Sequence, residues 1–473
     1  MMRRRLLLLL VGALGVAALA YPATAAAHGI VGRADLPIPV WLFSWAAAIV
    51  LVASFVALSA LWTTPQLQSE RRRALFTLPG AVLALVNAIG LAVFVLVVYS
   101  GLAGTQVWSA NFSVTFIYVV FWVGVPIASV LFGNVFSALS PWRTVARALR
   151  WGIGRLRGGR TEPPARYPAR LGQWPAVALL IGFAWLELVY VERDSPSTLA
   201  ALSLGYFAAM VVGMLVFGVE EWTAQADGFG AYFGLLAKMA PLVRGEDGTV
   251  FLRRPLSGLA GMRVGPGTTA LVCAVIGTTT FDGFSNDAVW RELEPHLQSF
   301  FSGIGLHATP ATELAYTVGL LACVAFVYAI YELGINGVAH VSRRYGSAEL
   351  SRTFVHTLVP IGFAYVLAHY FSLLIWQGQA VGYLASDPLG NGANIFGTSS
   401  YRIDYTIISF AAIWYVQVAA LVAGHVGGLT LAHDRALSIY RNPTEAVRSQ
   451  YWMLTVMVAF TCFGLWLLSA VGT

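Results

Sequence analysis

Histidines and carboxylates lie inside several of the most apolar stretches of this sequence. His356 and His369 share one apolar run, His425 lies in a second, and Asp282 and Glu332 lie in two others. Ionisable side chains are costly at membrane depth, so those found there commonly serve a substrate, an ion pathway or a proton relay. Imidazoles and carboxylates also bind transition metals and act as general acids and bases. The alternative is that each one forms a hydrogen bond between packed helices.

Helical rise places these residues in two layers of different depth. The inner layer lies roughly 10–13 Å to the cytoplasmic side of the segment midpoints, and it consists of Glu332, His356 and His425. The outer layer lies roughly 4–9 Å to the other side, and it consists of Glu187, Asp282 and His369. About 20 Å of rise separates His356 from His369, so these two imidazoles cannot bind the same metal ion.

Two kinds of chemistry fit these layers. In the first, a divalent metal ion activates a water molecule for attack on an electrophile. The expected metal ligands are His356, His425, Glu332 and His369, and the expected catalytic residues are these four together with Asp282. In the second, the layers are stations on a path for protons or a metal ion. The sequence contains no G-x-S-x-G, H-E-x-x-H or phosphate-loop motif, so nothing in it supports a serine nucleophile.

The composition indicates that these residues are carried by membrane-spanning helices. The chain has 473 residues, of which 58% are hydrophobic and only 11% charged, whereas soluble domains carry roughly 25% charged residues. We therefore predict an all-α polytopic membrane protein. Its three cysteines lie singly in apolar runs and are interpreted as small core residues rather than as a redox or metal motif; they are Cys273, Cys323 and Cys462.

An N-terminal signal peptide and about ten transmembrane helices are predicted. Residues 1–27 combine Arg3-Arg4-Arg5, the apolar run Leu6–Ala20 and the small-residue cleavage site Ala25-Ala26-Ala27, as in secretory signals. Residues 28–473 then form a single transmembrane domain. Its apolar segments, each close to bilayer length, are Trp41–Trp62, Pro79–Ser100, Phe112–Phe132, Pro175–Val191, Thr198–Val219, Thr268–Phe284, Ala311–Ala339, Thr353–Trp376, Tyr405–Leu431 and Tyr451–Val471.

Basic residues are concentrated in alternate loops. A cleaved signal places the mature N-terminus outside and, after ten spans, the C-terminus outside as well. The loops that then face the cytoplasm carry most of the Arg and Lys residues, in accordance with the positive-inside rule. Two of these loops, 134–174 and 220–267, are long. The net charge of +7 is therefore a topology signal that suits anionic lipid, and no nucleic-acid partner is expected.

Several short stretches resemble the bacterial integral membrane proteins named fenitrothion hydrolase. The resemblance extends over most of the chain beyond the signal, and the stretches that carry it are His28-Gly29, Asp35-Leu36-Pro37, Pro141-Trp142-Arg143, Phe281-Asp282-Gly283-Phe284, Ala368-His369-Tyr370, Gly424-His425 and Ala432-His433-Asp434-Arg435. The resemblance implies a multi-pass protein of the bacterial plasma membrane that hydrolyses an organophosphate triester such as fenitrothion and releases a nitrophenol. It brings no catalytic residues with it, so the candidate residues rest on the depth argument alone.

Three functions therefore remain open. The first is a membrane-embedded, metal-dependent hydrolase of organophosphate triesters, whose apolar substrate reaches the site through the lipid. The second is a transporter or channel for a metal ion or for protons. The third is a non-catalytic membrane protein whose basic loops dock another protein. Assays of nitrophenol release, of metal content and of uptake into vesicles distinguish the three.

Overall fold

A computed structural model describes residues 40–470, except 157, 160, 161, 343 and 441. The predicted signal peptide and His28 lie outside the described residues. The first part of the chain contains α1 (Val40–Leu61), β1 (Arg72–Thr77), α2 (Gly80–Ala103), α3 (Phe112–Phe132), α4 (Phe136–Leu139), α5 (Pro141–Leu156), α6 (Trp174–Leu188), α7 (Pro196–Phe217), α8 (Val219–Gln225), α9 (Gly228–Leu236), β2 (Leu242–Arg244), β3 (Thr249–Arg253) and α10 (Ser257–Ala260). The second part contains α11 (Thr268–Phe284), α12 (Ala288–Gly303), α13 (Ala308–Ser342), α14 (Ser347–Phe354), α15 (Leu358–Gln377), α16 (Ala380–Leu384), α17 (Phe410–Ile439), α18 (Pro443–Ser449) and α19 (Tyr451–Ala470).

The described chain is mostly helical, and eight of its helical stretches are long and apolar enough to cross a membrane. They are α1, α2, α3, α7, α13, α14 with α15, α17, and α18 with α19. Two further apolar helices, α6 and α11, are shorter, with 15 and 17 residues. The prediction of a helical, multi-pass membrane protein is confirmed at this level.

The outward faces of the long helices are apolar. In α2, for example, Leu85, Ile89 and Val95 are 61%, 48% and 57% exposed. A helix that is hydrophobic all round and still exposes its side chains requires an apolar solvent, because soluble proteins rarely expose large continuous apolar surfaces. Lipid around these helices supplies that solvent.

A small antiparallel sheet departs from the purely helical class that the sequence predicts. Its strand order is β1–β3–β2, with Arg72 opposite Arg253 and Leu242 opposite Leu252. The β2–β3 hairpin turns at Asp247, whose Oδ1 accepts a hydrogen bond from the Thr249 amide at 3.0 Å. The strands have only three to six residues, and β1 is held by a partner far away in the sequence, so local patterning does not reveal them.

Two apolar segments differ from their predicted bounds. The predicted segment Tyr405–Leu431 corresponds to α17, which begins later because the Ser409 hydroxyl caps it, accepting from the Ala412 amide at 3.2 Å. The helix also continues eight residues further, to Ile439. The predicted segment Thr353–Trp376 is interrupted by a 3₁₀ turn at Val355–Thr357, just before Pro360, which has no amide hydrogen for regular helical bonding.

Two glycines let α15 and α17 approach closely. A Cβ atom on Gly424 would lie 2.2 Å from Ala364 Cβ and 2.7 Å from the Pro360 carbonyl oxygen. On Gly428 it would lie 2.7 Å from the Thr357 carbonyl oxygen. This small-xxx-small pattern is typical of packed membrane helices. The contact fixes the positions of the two helices that carry candidate site residues, His369 on α15 and His425 on α17.

Gly424→Ala is therefore expected to destabilise the protein by about 1–3 kcal/mol, because the added methyl group meets backbone atoms that cannot move aside. The melting temperature of the detergent-purified protein measures this effect. The control is Gly205→Ala in α7, where a Cβ atom meets nothing within 4 Å and where alanine favours the helix by roughly 0.5–1 kcal/mol. Equal melting temperatures for the two variants would contradict the close approach of α15 and α17.

Candidate functional site

Helices α11 and α15 bring Asp282 and His369 into direct contact. Nε2 of His369 lies 2.8 Å from Oδ2 of Asp282, and the two side chains are 16% and 17% exposed. The residues are 87 positions apart in the chain, so the contact is made by helix packing and not by local geometry. A carboxylate and an imidazole this close form a charge-assisted hydrogen bond whenever the imidazole is protonated. Their pairing offsets the cost of placing both groups among apolar helices.

Three further polar side chains surround this pair. The rings of Tyr370 and His369 lie 4.7 Å apart between centroids, and both Tyr370 and Glu187 interact electrostatically with Asp282. The Trp122 indole lies beside Glu187 and Tyr370. Within the described residues, Oε2 of Glu187 is buried and has no hydrogen-bond partner. A second carboxylate, one oxygen of which lacks a hydrogen-bond partner among the described residues, therefore stands close to the pair.

Trp122 belongs to an unusual stretch of α3. Residues Phe116–Gly124 form a π-helix, which is rare and is found mainly at functional sites. The wider turn changes the direction in which side chains point, and Trp122, which lies within the π-helix, is the residue placed beside the polar cluster. Nothing in the residue pattern of this segment predicts the π-helix.

A cavity of about 20 Å³ touches His369 on the side of Thr279, Thr280 and Tyr365. This volume accommodates roughly one water molecule, since a water needs about 10–15 Å³ of such space. The hydroxyls of Thr279 and Thr280 donate to carbonyls of their own helix, at 3.1 and 2.8 Å, which leaves their lone pairs as acceptors. The cavity therefore suits water or a proton, whereas pockets for drug-sized ligands have about 300–1,000 Å³.

The inner layer of the sequence prediction has a different arrangement. Oε1 of Glu332 accepts from the Ser351 hydroxyl at 2.7 Å, and Nδ1 of His425 bonds to the Leu421 carbonyl at 2.8 Å. His356 is 2% exposed, and its Nε2 has no hydrogen-bond partner among the described residues. Each of the three thus has separate surroundings.

The four expected metal ligands could form one metal centre only if their side chains converged on one point. Across the described part of the chain, no group of three or more His, Cys, Asp or Glu side chains is placed to hold a metal ion. Nε2 of His369 is directed at Asp282, and Oε1 of Glu332 is directed at Ser351. As arranged in the described part of the chain, these four side chains do not fit one divalent metal centre.

Asp434, which the sequence analysis quotes only within a matching stretch and to which it gives no role, is fully buried. Its carboxylate accepts hydrogen bonds from Trp62 Nε1 at 2.9 Å, the Gln66 amide at 2.5 Å, the Leu67 amide at 3.2 Å and Gln68 Nε2 at 2.7 Å. The neighbouring His433 bonds through Nε2 to the Trp62 carbonyl at 3.0 Å. Asp434 therefore fastens the segment after α1 to α17. The signal for it was present, since a His-Asp-Arg triplet at the end of an apolar run is unusual.

A second buried polar network lies outside the membrane-length helices. Asp227 caps α9 and accepts from Trp142 Nε1 at 2.7 Å. Arg143, only 4% exposed, bonds to Glu220 at 2.9 Å. Burial acts to raise the pKa of Glu220, but the attraction of Arg143 and Arg147 outweighs it and lowers the pKa. Part of the predicted basic loop 134–174 is thus built into the protein rather than presented to lipid.

Comparison with protein-family models, with curated proteins and with solved structures gives no match to this chain. The geometry of the half-buried Asp282–His369 pair is therefore the basis for assigning a function.

Proposed function

We propose that this protein is a membrane transporter of protons in which the Asp282–His369 pair takes up and releases the proton. The observation that supports this most is the 2.8 Å contact between the two side chains, made by two apolar helices next to a water-sized cavity. Asp, Glu and His are the residues from which proton relays in membrane proteins are built.

The chemistry of the pair suits reversible proton transfer. Imidazole changes charge near neutral pH, and the adjacent Asp282 carboxylate stabilises the imidazolium form by its negative charge. A water molecule in the cavity beside His369 supplies or accepts the proton on one side. Glu187 and Tyr370, which interact with Asp282, offer the next acceptors on the other side.

The proposal includes the finer topology predicted from the sequence. We infer ten spans, a cleaved signal at residues 1–27, both mature ends outside and the basic loops inside a bacterial plasma membrane. The shorter α11 counts as a span because most of its residues are buried among other helices. A helix of 17 residues is about 25 Å long, and one surrounded by protein need not match the full hydrocarbon thickness.

A second candidate is the hydrolase implied by the resemblance. The observation that favours it is that an Asp-oriented histidine beside a water-sized cavity is also the arrangement of a general base. His369 would take a proton from the water as its oxygen attacks phosphorus, and the nitrophenolate would leave. The small cavity weighs against it, because a triester requires space that this arrangement does not provide.

One experiment compares the two candidates. The full chain is reconstituted into vesicles that contain a pH-sensitive dye, a proton gradient is imposed, and valinomycin with potassium compensates the charge. Parallel vesicles receive fenitrothion, and nitrophenol is followed by its absorbance. Transport predicts acidification faster than in empty vesicles without nitrophenol. Nitrophenol release that His369→Gln abolishes would instead establish the hydrolase, and vesicles with neither activity would contradict the proposal.

A further inference from the structure

A second cavity, of about 60 Å³, lies where five helices meet, α11, α13, α15, α17 and α19. Its wall is mostly aliphatic, with side chains such as Ile276 and Val327. Three side chains on it carry a nitrogen or sulfur atom able to bind a soft cation, and these are His425, Met453 and Met457; Tyr331 and Thr357 add hydroxyl groups. Among the described residues that line this cavity, none is a carboxylate. It is distinct from the cavity beside His369, and the proposed proton transfer makes no use of it.

The hydrogen bonding of His425 fixes which ring nitrogen is free. Its Nδ1 lies 2.8 Å from the Leu421 carbonyl oxygen, and because a carbonyl only accepts, Nδ1 must carry the hydrogen. Nε2 therefore presents a lone pair. His425 is 0% exposed, and within the described chain its Nε2 is buried without a partner. A backbone carbonyl that holds the other ring nitrogen in this way is the usual support of a metal-binding histidine.

The two methionines are placed to act together. Met453 and Met457 are four residues apart on α19, so they lie on the same face of the helix, and both line the cavity that His425 lines. Thioether sulfur is a neutral, soft ligand that selects monovalent copper over hard cations.

We propose that this cavity binds one soft monovalent cation, of the class of Cu⁺, through Nε2 of His425 and the Sδ atoms of Met453 and Met457. Three neutral ligands leave a single positive charge to be buried, which costs far less than the double charge of a divalent ion. The proposal differs from the metal site predicted from the sequence, since the thioethers replace Glu332 and His356. It does not depend on the proposed transport function.

Silver is the probe, because Ag⁺ has the same ligand preference and does not change oxidation state. The detergent-purified full chain is freed of metal with a chelator, dialysed against Ag⁺ at several concentrations and analysed for bound metal. We expect the wild type to bind one Ag⁺ per chain beyond the share held by its free thiols, Cys273, Cys323 and Cys462, and the methionine double variant below measures that share. The double variant Met453→Leu with Met457→Leu, which conserves volume, is expected to lower the affinity by about tenfold or more. X-ray absorption of the Cu⁺ form should show both sulfur and nitrogen ligands.

The chain offers a matched control in α7. Met210 and Met214 have the same four-residue spacing and are also buried, at 2% and 0% exposure, but neither lines the cavity of His425. Met210→Leu with Met214→Leu should leave Ag⁺ binding unchanged. Asp282→Asn should leave it unchanged as well, which would show that the cation site is independent of the Asp282–His369 pair. Absence of stoichiometric binding by the folded wild type, or equal loss in both methionine pairs, would overturn the proposal.

Discussion

Asp282→Asn is expected to reduce proton flux into vesicles by roughly 100-fold or more, the usual contribution of a positioned acid or base. Asparagine has nearly the same shape as aspartate, and its amide still reaches His369. It cannot carry the negative charge that stabilises the imidazolium form, however, and it cannot accept a proton. The loss would thus come from the chemistry of the pair rather than from altered packing. The initial rate of dye response after a pH jump measures it.

His369→Gln should reduce the flux to the same extent, because the two residues act as one unit. For the same reason the double variant should be no worse than either single one. Asp404→Asn serves as the control, since Asp404 is exposed and its carboxylate accepts hydrogen bonds from Thr406 in the same loop. Wild-type flux from Asp282→Asn, with the protein folded and correctly reconstituted, would rule out a role for the pair.

Asp434→Ala is expected to be the most destabilising of the substitutions considered, by roughly 3–5 kcal/mol. The carboxylate accepts from two backbone amides and two side chains of residues 62–68. Removing it leaves several of these donors unpaired, at about 1–3 kcal/mol for each buried one. A lower melting temperature in detergent, together with easier proteolysis near Gln66, is the expected result.

Asp434→Asn is the matched variant for this position. It keeps one oxygen acceptor but adds an NH₂ group where only donors are present, so an intermediate loss of stability is expected. Because Asp434 is not part of the Asp282–His369 cluster, the fraction of either variant that folds should retain proton flux. A melting temperature equal to that of the wild type for Asp434→Ala would show that the segment after α1 is held by other contacts.

The sequence predicted the helices well, because bilayer-length apolar runs are strong signals. It also placed Asp282 and His369 at a similar depth, on the outer side of the segment midpoints. It could not show that they face each other, because helices that are apolar all round have no amphipathic stripe to report their rotation. For the same reason the sequence could not show that Glu332 and His425, which share a depth in the inner layer, have different neighbours.

Features that depend on long-range pairing could not be predicted. The sheet joins β1 to β3 across most of the first half of the chain, and neither strand has enough residues to show alternation. The role of Asp434 could not be predicted, because the donors that bond to its carboxylate belong to residues 62–68, more than 360 positions away in the chain. The role of Met453 and Met457 beside His425 emerges only from the packing of α17 against α19.

Infrared difference spectroscopy of the reconstituted protein tests the central claim most directly. Spectra are recorded as the pH is changed across the range in which flux occurs, with histidine labelled by ¹⁵N. A proton held by the Asp282–His369 pair predicts paired changes in imidazole and carboxylate bands that disappear in both Asp282→Asn and His369→Gln. Bands that do not change with pH in the wild type, or that persist unaltered in the two variants, would contradict the account.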